Sequence, residues 1–150
     1  MTVKLETEYL IGVVGLVLGA GLGFAVGASA LKKVGTWDGL VVIPLLLAAA
    51  AAHIVLISAV EPMRQILFGL YGLALIGVVV LSIAGVAIWR AGAVLFPAAS
   101  IAAYFYFAIP EHQADFVGLG VKVVEVAAIC AALVPVVRNK TRESRRHVAV

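Results

Sequence analysis

The stretch from residue 66 to residue 110, ILFGLYGLALIGVVVLSIAGVAIWRAGAVLFPAASIAAYFYFAIP, contains a single charged residue, Arg90. A helix needs about 20 apolar residues to cross the hydrocarbon core of a bilayer, which is roughly 30 Å thick. One continuous helix over this stretch would be roughly 67 Å long, which is far too long for a single crossing. The stretch therefore predicts two antiparallel membrane spans, over 66–89 and 91–110, with a tight turn at Arg90–Gly92.

The rest of the chain contains three more apolar segments of membrane-spanning length, over 9–31, 40–60 and 117–137. Hydrophobic residues make up 64% of the 150 and charged residues 13%, against about half and a quarter in soluble domains. A soluble globule of this size could not bury so much apolar surface. We predict an all-α fold, a polytopic transmembrane helical bundle of five spans with short loops, with four spans as the alternative. Residues 1–137 form this bundle, and residues 138–150 form a basic tail.

The first apolar run, 9–31, contains a small-residue triplet, Ala28-Ser29-Ala30, that resembles the cleavage site of a signal peptide. The segment before it carries Glu6 and Glu8 rather than a net positive charge, and the run is longer than a signal core. We therefore expect this segment to be retained as the first span.

Lysine and arginine are distributed unevenly between the two sides of a five-span bundle. One side receives eight basic residues, and the other receives only Lys4 and Arg64, each close to acidic residues. Because cytoplasmic loops are rich in Lys and Arg, we predict a multi-pass protein of the cell membrane with its N-terminus outside and its C-terminus in the cytoplasm. Four spans would place the basic clusters on opposite sides. The eight residues are Lys32, Lys33, Arg90, Arg138, Lys140, Arg142, Arg145 and Arg146.

Glycine recurs at every fourth position of the first span, a pattern known as a glycine zipper. Residues four apart lie on one face of a helix, so these glycines form a groove without side chains. Such a groove allows a second helix to approach closely in lipid. The second helix belongs either to the same bundle or to a homo-oligomer or partner subunit. The glycines are Gly15, Gly19, Gly23 and Gly27.

The second span contains a single ionisable residue, His53, directly after the alanine run 48–52. The imidazole is expected roughly 10 Å inside the outer boundary. Ionisable groups inside a membrane are expensive and are often functional. His53 is therefore a candidate for proton handling or for ligation, while a neutral ring that hydrogen-bonds a backbone carbonyl is the structural alternative.

The fifth span contains the only charged pair inside a predicted span, Lys122 and Glu125. Their i,i+3 spacing puts both side chains on one helical face. The long lysine side chain could extend its ammonium toward the headgroups, whereas the shorter glutamate could not. Glu125 is therefore expected to face the bundle interior, to pair with Lys122 or to be protonated. With His53, these residues are the candidate ion or proton pathway, and a structural ion pair is the alternative.

The basic tail combines five cations with a single acid. Basic residues next to a membrane attract anionic lipid by about 1 kcal/mol per charge, or they serve only to fix the topology. The tail is therefore a candidate lipid-headgroup segment and not a nucleic-acid site. Its cations are Arg138, Lys140, Arg142, Arg145 and Arg146.

The sequence indicates no catalytic residues, no metal site and no cofactor. There is no phosphate-binding loop, and Cys130 is the only cysteine. Two-histidine haem ligation within one chain is unsupported because only His53 lies in a span. A haem shared across an oligomer through His53 is the remaining cofactor hypothesis.

Three functional hypotheses follow. The leading one is a non-enzymatic membrane protein that packs as a homo-oligomer or as a small subunit of a larger membrane assembly, with the lipid bilayer as its surroundings. The second is a proton- or ion-coupled channel or transporter that uses His53, Lys122 and Glu125. The third is a membrane anchor subunit that binds haem or quinone.

Overall fold

A computed structural model of the chain describes the backbone of residues 2–108 and 116–148, and the side chains of residues 10–107 and 116–138. The described part contains no β-strand and has five helices long and apolar enough to cross a membrane, so the predicted all-α bundle of five spans is confirmed. The α-helices are α1 (Thr2–Ser29), α2 (Leu31–Val34), α3 (Ile43–Leu56), α4 (Pro62–Ile83), α5 (Trp89–Ala108) and α6 (Phe116–Val148). A π-helical turn, Asp38–Val42, precedes α3, and a 3₁₀ turn, Ile57–Ala59, follows it. The spans are Leu10–Ser29, Asp38–Ala59, Pro62–Ile83, Trp89–Phe107 and Phe116–Arg138.

The second span, Asp38–Ala59, lies at the centre of the bundle. Half of its apolar stretch is buried (50%), against 11% in the span Trp89–Phe107. Alanine and branched residues on α3 pack against α1, α4 and α6, and the apolar core forms around them. A helix that is apolar on every side is suited to such a central position. The described core residues include Val42, Ile43, Leu46, Ala49, Ala50, Leu75, Val78, Ala93, Ala128 and Ala132.

The regularly spaced glycines of α1 lie against α3 and the turn before it. A methyl group added at Gly19 would overlap the carbonyl oxygen of Leu47. Farther along α1, the Gly27 and Gly39 backbones approach so closely that neither position has room for a side chain. The absence of Cβ atoms is therefore what allows these two backbones to touch, and packing contacts of this kind hold helices together in lipid.

Proline and glycine fix the two ends of α4. Pro62 occupies its first turn, where the missing N–H costs no hydrogen bond, so the helix begins before the expected residue 66. At the other end Gly85 adopts a left-handed conformation (φ 75°), its N–H donates to Ser82 O, and Val86 N–H donates to Leu81 O. These two hydrogen bonds form a Schellman motif, which ends a helix at a glycine.

The turn between the third and fourth spans therefore differs from the sequence prediction. The prediction placed it at Arg90–Gly92, but the Schellman motif ends α4 at Ile83, and Arg90 lies in the first turn of α5. Pro97 lies well inside α5 and is buried. The predicted position was wrong because it was taken from the charge of Arg90, whereas the helix ends at the left-handed glycine Gly85.

The ends of the bundle differ in composition. At one end, which we call the Arg90 end, Trp37, Asp38, Arg90 and Arg138 come together. At the other, the Glu61 end, the Gly12 face of α1 packs on Val117 at the start of α6. This arrangement is that of an up-and-down bundle, in which short connections make consecutive spans antiparallel.

Candidate functional site

Glu125 lies at the centre of a buried polar cluster built by four helices. Its carboxylate is fully buried (0% exposed). Oε1 accepts hydrogen bonds from Tyr71 Oη at 2.8 Å and from Ser100 Oγ at 2.9 Å, and Oε2 accepts one from Lys122 Nζ at 2.8 Å. Since α4, α5 and α6 each supply a donor, the carboxylate is held in place by most of the bundle. We call His53, Tyr71, Ser100, Lys122 and Glu125 the Glu125 cluster.

The Lys122 side chain turns into the bundle. Its ammonium donates to Glu125 Oε2 and, at 2.5 Å, to Ser100 Oγ, and it lies 5.6 Å from the centroid of the Tyr104 ring. The whole residue is 7% exposed. The sequence allowed two arrangements, with the ammonium extended toward the headgroups or paired with Glu125. The structure has the second.

His53 faces Glu125 from α3. Its Nδ1 lies 2.8 Å from the carbonyl oxygen of Ala49, one helical turn earlier. Because a carbonyl only accepts hydrogen bonds, Nδ1 must carry the hydrogen. Nε2 lies 3.8 Å from Glu125 Oε1. A proton on Nε2 would therefore point toward the carboxylate, and a movement of about 1 Å would close a hydrogen bond.

Two aromatic rings pack on the imidazole of His53. The centroid of the Tyr71 ring is 4.4 Å away, and that of the Phe68 ring is 5.0 Å away. The histidine is 6% exposed, so a haem iron could approach Nε2 only by displacing Glu125 or these rings. The geometry therefore gives no support to the haem hypothesis.

The structure brings together the three residues of the candidate pathway, His53, Lys122 and Glu125, and adds two that the sequence reasoning missed. Tyr71 and Ser100 complete the hydrogen bonding of the carboxylate. By helical rise, all five members lie about 9 to 14 Å inside the Glu61 end of their spans. This shared depth was the available signal, since each hydroxyl lies as deep in its span as His53 does.

A second polar site joins three spans at the Arg90 end. Arg90 Nη2 lies 2.6 Å from Asp38 Oδ2, and Arg90 Nη1 donates to Ala132 O at 3.1 Å. Trp37 Nε1 donates to Ala131 O at 2.9 Å. Pro135 has no N–H to bond the carbonyl of Ala131, four residues earlier, so the tryptophan takes the place of the missing helical donor.

The remaining candidates are placed as follows. Four glycines of α1 face α3 or the turn before it, so their contacts lie within one molecule. They are Gly15, Gly19, Gly23 and Gly27. Arg138 lies 6.0 Å from the Trp37 ring at the Arg90 end. The backbone of α6 continues as helix to Val148. The other tail cations, Lys140, Arg142, Arg145 and Arg146, have side chains outside the described residues.

Chemically, the Glu125 cluster can hold a cation or exchange a proton. It contains a buried carboxylate, ammonium and imidazole, together with two hydroxyls on partly buried residues. Among the described residues, no group of three His, Cys, Asp or Glu side chains could hold a metal ion.

Comparisons with protein-family models, with curated proteins and with solved structures found no match.

Proposed function

We propose that this chain is a proton- or ion-coupled channel or transporter in which Glu125 is the binding group. The observation that carries the proposal is the fully buried carboxylate of Glu125, which three helices hydrogen-bond and a fourth faces through His53. Ionisable groups at this depth mark ion and proton pathways in many membrane proteins. The proposed activity is transport and not catalysis.

Stability alone does not require such a cluster. Replacing a buried ion pair by apolar residues of similar volume is often neutral or stabilising, because the desolvation of two charges offsets their attraction. The apolar core residues that α3 and α6 contribute are otherwise Ala, Val, Leu and Ile. A bundle that only needed to pack could therefore use apolar residues at positions 122 and 125, which supports a functional reason for the charges.

His53 favours the proton as the coupled ion. Its Nδ1–H is committed to Ala49 O, so only Nε2 changes its protonation state, and that nitrogen faces Glu125. An imidazole and a carboxylate at this separation form a pair that can share or pass a proton. Tyr71 and Ser100 donate hydrogen bonds to Glu125 Oε1, the oxygen that faces His53.

The test is ion flux in liposomes containing the purified full-length chain. Proton flux is followed with a trapped pH-sensitive dye, and Na⁺ or K⁺ flux with cation-sensitive dyes, under an imposed gradient. We expect Glu125→Gln to reduce flux at least tenfold, because the neutral amide cannot take up a proton or neutralise a cation. We expect His53→Ala to reduce proton flux more than metal-cation flux.

Glu61→Gln is the matched control, since it makes the same change at an exposed position at the end of the bundle. Its flux should equal that of the unaltered chain. The proposal fails if the unaltered chain conducts no more than empty liposomes, or if Glu125→Gln and Glu61→Gln conduct equally well.

A subunit of a larger assembly is the second candidate, and it is favoured by the exposure of α5. Only 11% of the apolar stretch Trp89–Phe107 is buried in the chain, and Leu95, Phe96, Tyr106 and Phe107 point outward. The glycine zipper no longer supports this candidate, because it packs on α3. Cross-linking in native membranes, followed by mass measurement in mild detergent, tests for a partner or a second copy. A monomer without cross-links would exclude this candidate.

A further inference from the structure

The ammonium of Lys122 lies in a cradle formed by three groups from two neighbouring helices. Glu125 Oε2 accepts one hydrogen bond at 2.8 Å, Ser100 Oγ accepts a second at 2.5 Å, and the face of Tyr104 lies 5.6 Å from the nitrogen. A carboxylate, a hydroxyl acceptor and an aromatic face are the groups that recognise a primary ammonium ion. The protein's own side chain occupies this site.

We propose that the cradle is a binding site for small primary ammonium cations, and that Lys122 is its exchangeable internal occupant. The inference rests on the proposed function and names the ligand class of the same site. An incoming cation would take over the hydrogen bonds of Lys122 to Glu125 and Ser100. The cation charge in the cradle would then be unchanged by the exchange.

The geometry allows Lys122 to leave while the cradle stays intact. Tyr71 and Ser100 hold the other oxygen of Glu125, so the carboxylate does not depend on the lysine for its position. Lys122 lies about 9 Å along α6 from Phe116, at the Glu61 end. Its four-carbon side chain is long and flexible, and lysines near helix ends can extend to the headgroup level.

The hydrogen bonds also define which cations fit. The acceptors Glu125 Oε2 and Ser100 Oγ each require an N–H from the ligand, which a quaternary ammonium lacks. The cradle is therefore specific for cations with at least two N–H donors on a compact nitrogen. Tetramethylammonium is the discriminating probe, because it carries the same charge without a donor.

Chemical rescue tests the site through stability rather than through transport. Lys122→Ala removes Cγ, Cδ, Cε and Nζ, and propylammonium contains the same four heavy atoms. We expect the variant to melt on the order of 10 °C lower than the unaltered chain in detergent, because it leaves Glu125 buried without its cation. Propylammonium chloride at millimolar concentration should restore more than half of that loss, and tetramethylammonium chloride none of it.

Lys122→Leu provides a second variant should the alanine variant fail to fold. Leucine retains apolar bulk at the stem but lacks Cε and Nζ, so methylammonium, with two heavy atoms, becomes the matching probe. Rescue should follow this length rule, with propylammonium better for the alanine variant and methylammonium better for the leucine variant. Val121→Ala is the control, since it removes two buried methyl groups one position earlier and leaves Lys122 in the cradle. Neither amine should raise its melting temperature.

The outcomes separate this inference from the proposed function. Rescue that is absent with both amines, that tetramethylammonium matches, or that persists when Glu125→Gln is added to Lys122→Ala would overturn the ammonium site. Rescue in a chain that conducts no ions would keep the site and remove the transport proposal. Ion flux that depends on Glu125, in a chain whose Lys122→Ala variant the amines do not rescue, would keep the transport proposal and remove the ammonium site.

Discussion

Arg90 is the side chain that connects most of the Arg90 end of the bundle. Its guanidinium contacts Asp38 Oδ2, donates to Ala132 O and lies 4.4 Å from the centroid of the Trp89 ring. The two members of the ion pair differ in burial, because 31% of the arginine side chain is exposed but only 9% of the aspartate side chain. Asp38 Oδ1 is already buried without a hydrogen-bond partner. The aspartate therefore depends on the arginine more than the reverse.

This asymmetry predicts unequal effects of removing each partner. Arg90→Met should lower the free energy of unfolding by about 3 kcal/mol, because it leaves a buried carboxylate uncompensated. Asp38→Asn should lower it by about 1 kcal/mol, since the arginine can turn to solvent and the amide still accepts a hydrogen bond. Thermal unfolding in detergent measures both. Arg138→Met is the control for loss of a cation at the same end and should change stability by less than 1 kcal/mol.

Equal losses for Arg90→Met and Asp38→Asn would contradict this interpretation. The double variant should be more stable than Arg90→Met alone, because it removes the unpaired charge together with its partner. A double variant whose loss of stability equals the sum of the two single losses would show that the two residues act independently.

At the scale of residues, the sequence identifies the charged members of the Glu125 cluster well and their uncharged partners poorly. His53, Lys122 and Glu125 are conspicuous because each is ionisable and lies among apolar residues. Tyr71 and Ser100 carry no charge and are common in membrane helices, so only their depth, which matches that of His53, separates them from other hydroxyls. Which helix faces meet depends on the packing of the whole bundle, and periodicity along a single helix does not contain that information.

At the scale of elements, the contact between α1 and α3 provides a matched pair of glycines. A Cβ at Gly19 would overlap Leu47 O and lie 2.8 Å from Ala48 Cα. A Cβ at Gly21, on the same helix, would meet nothing within 4 Å. Gly19→Ala should therefore lower the free energy of unfolding by about 1 to 3 kcal/mol by separating the helices. Gly21→Ala should be neutral or stabilising by about 0.5 kcal/mol, because alanine favours the helix.

Denaturant titration in mixed micelles compares the two variants. A destabilised Gly21→Ala together with a neutral Gly19→Ala would mean that the helix face toward α3 has been misassigned. The pair also separates internal packing from association. Gly19→Ala should weaken a monomer as much as any oligomer, since the contact lies within the chain.

Element boundaries show where sequence reasoning stops. The type of the spans follows from hydrophobicity and length, because a long apolar run must cross the bilayer or be covered by protein. The Lys and Arg distribution adds the reason for five spans rather than four. The position of the third turn does not, since residues 66–89 contain no charge to mark it. Gly85 ends α4 through its left-handed conformation, but Gly69, Gly72 and Gly77 remain inside the same helix. Only the backbone conformation distinguishes the terminating glycine from the others.

At the scale of the whole molecule, the two polar sites lie toward opposite ends of the bundle. The Glu125 cluster lies in the half nearer Glu61, and the Asp38–Arg90 pair lies at the end that carries Lys32, Lys33 and Arg138. Both sites draw on α5 and α6, so a shift of either helix would disturb them together. The orientation of the chain in the membrane decides which compartment the Glu125 cluster faces.

The distribution of Lys and Arg predicts that the Arg90 end faces the cytoplasm. Single-cysteine labelling checks this after Cys130→Ala removes the only thiol. We expect Glu61→Cys to react with a membrane-impermeant maleimide in intact cells, and Lys33→Cys to react only after permeabilisation. Both positions are exposed at opposite ends of the bundle, so they report the orientation without touching either polar site. The reverse labelling pattern would contradict the predicted topology, and the proposed ion site would then lie in the cytoplasmic half of the membrane.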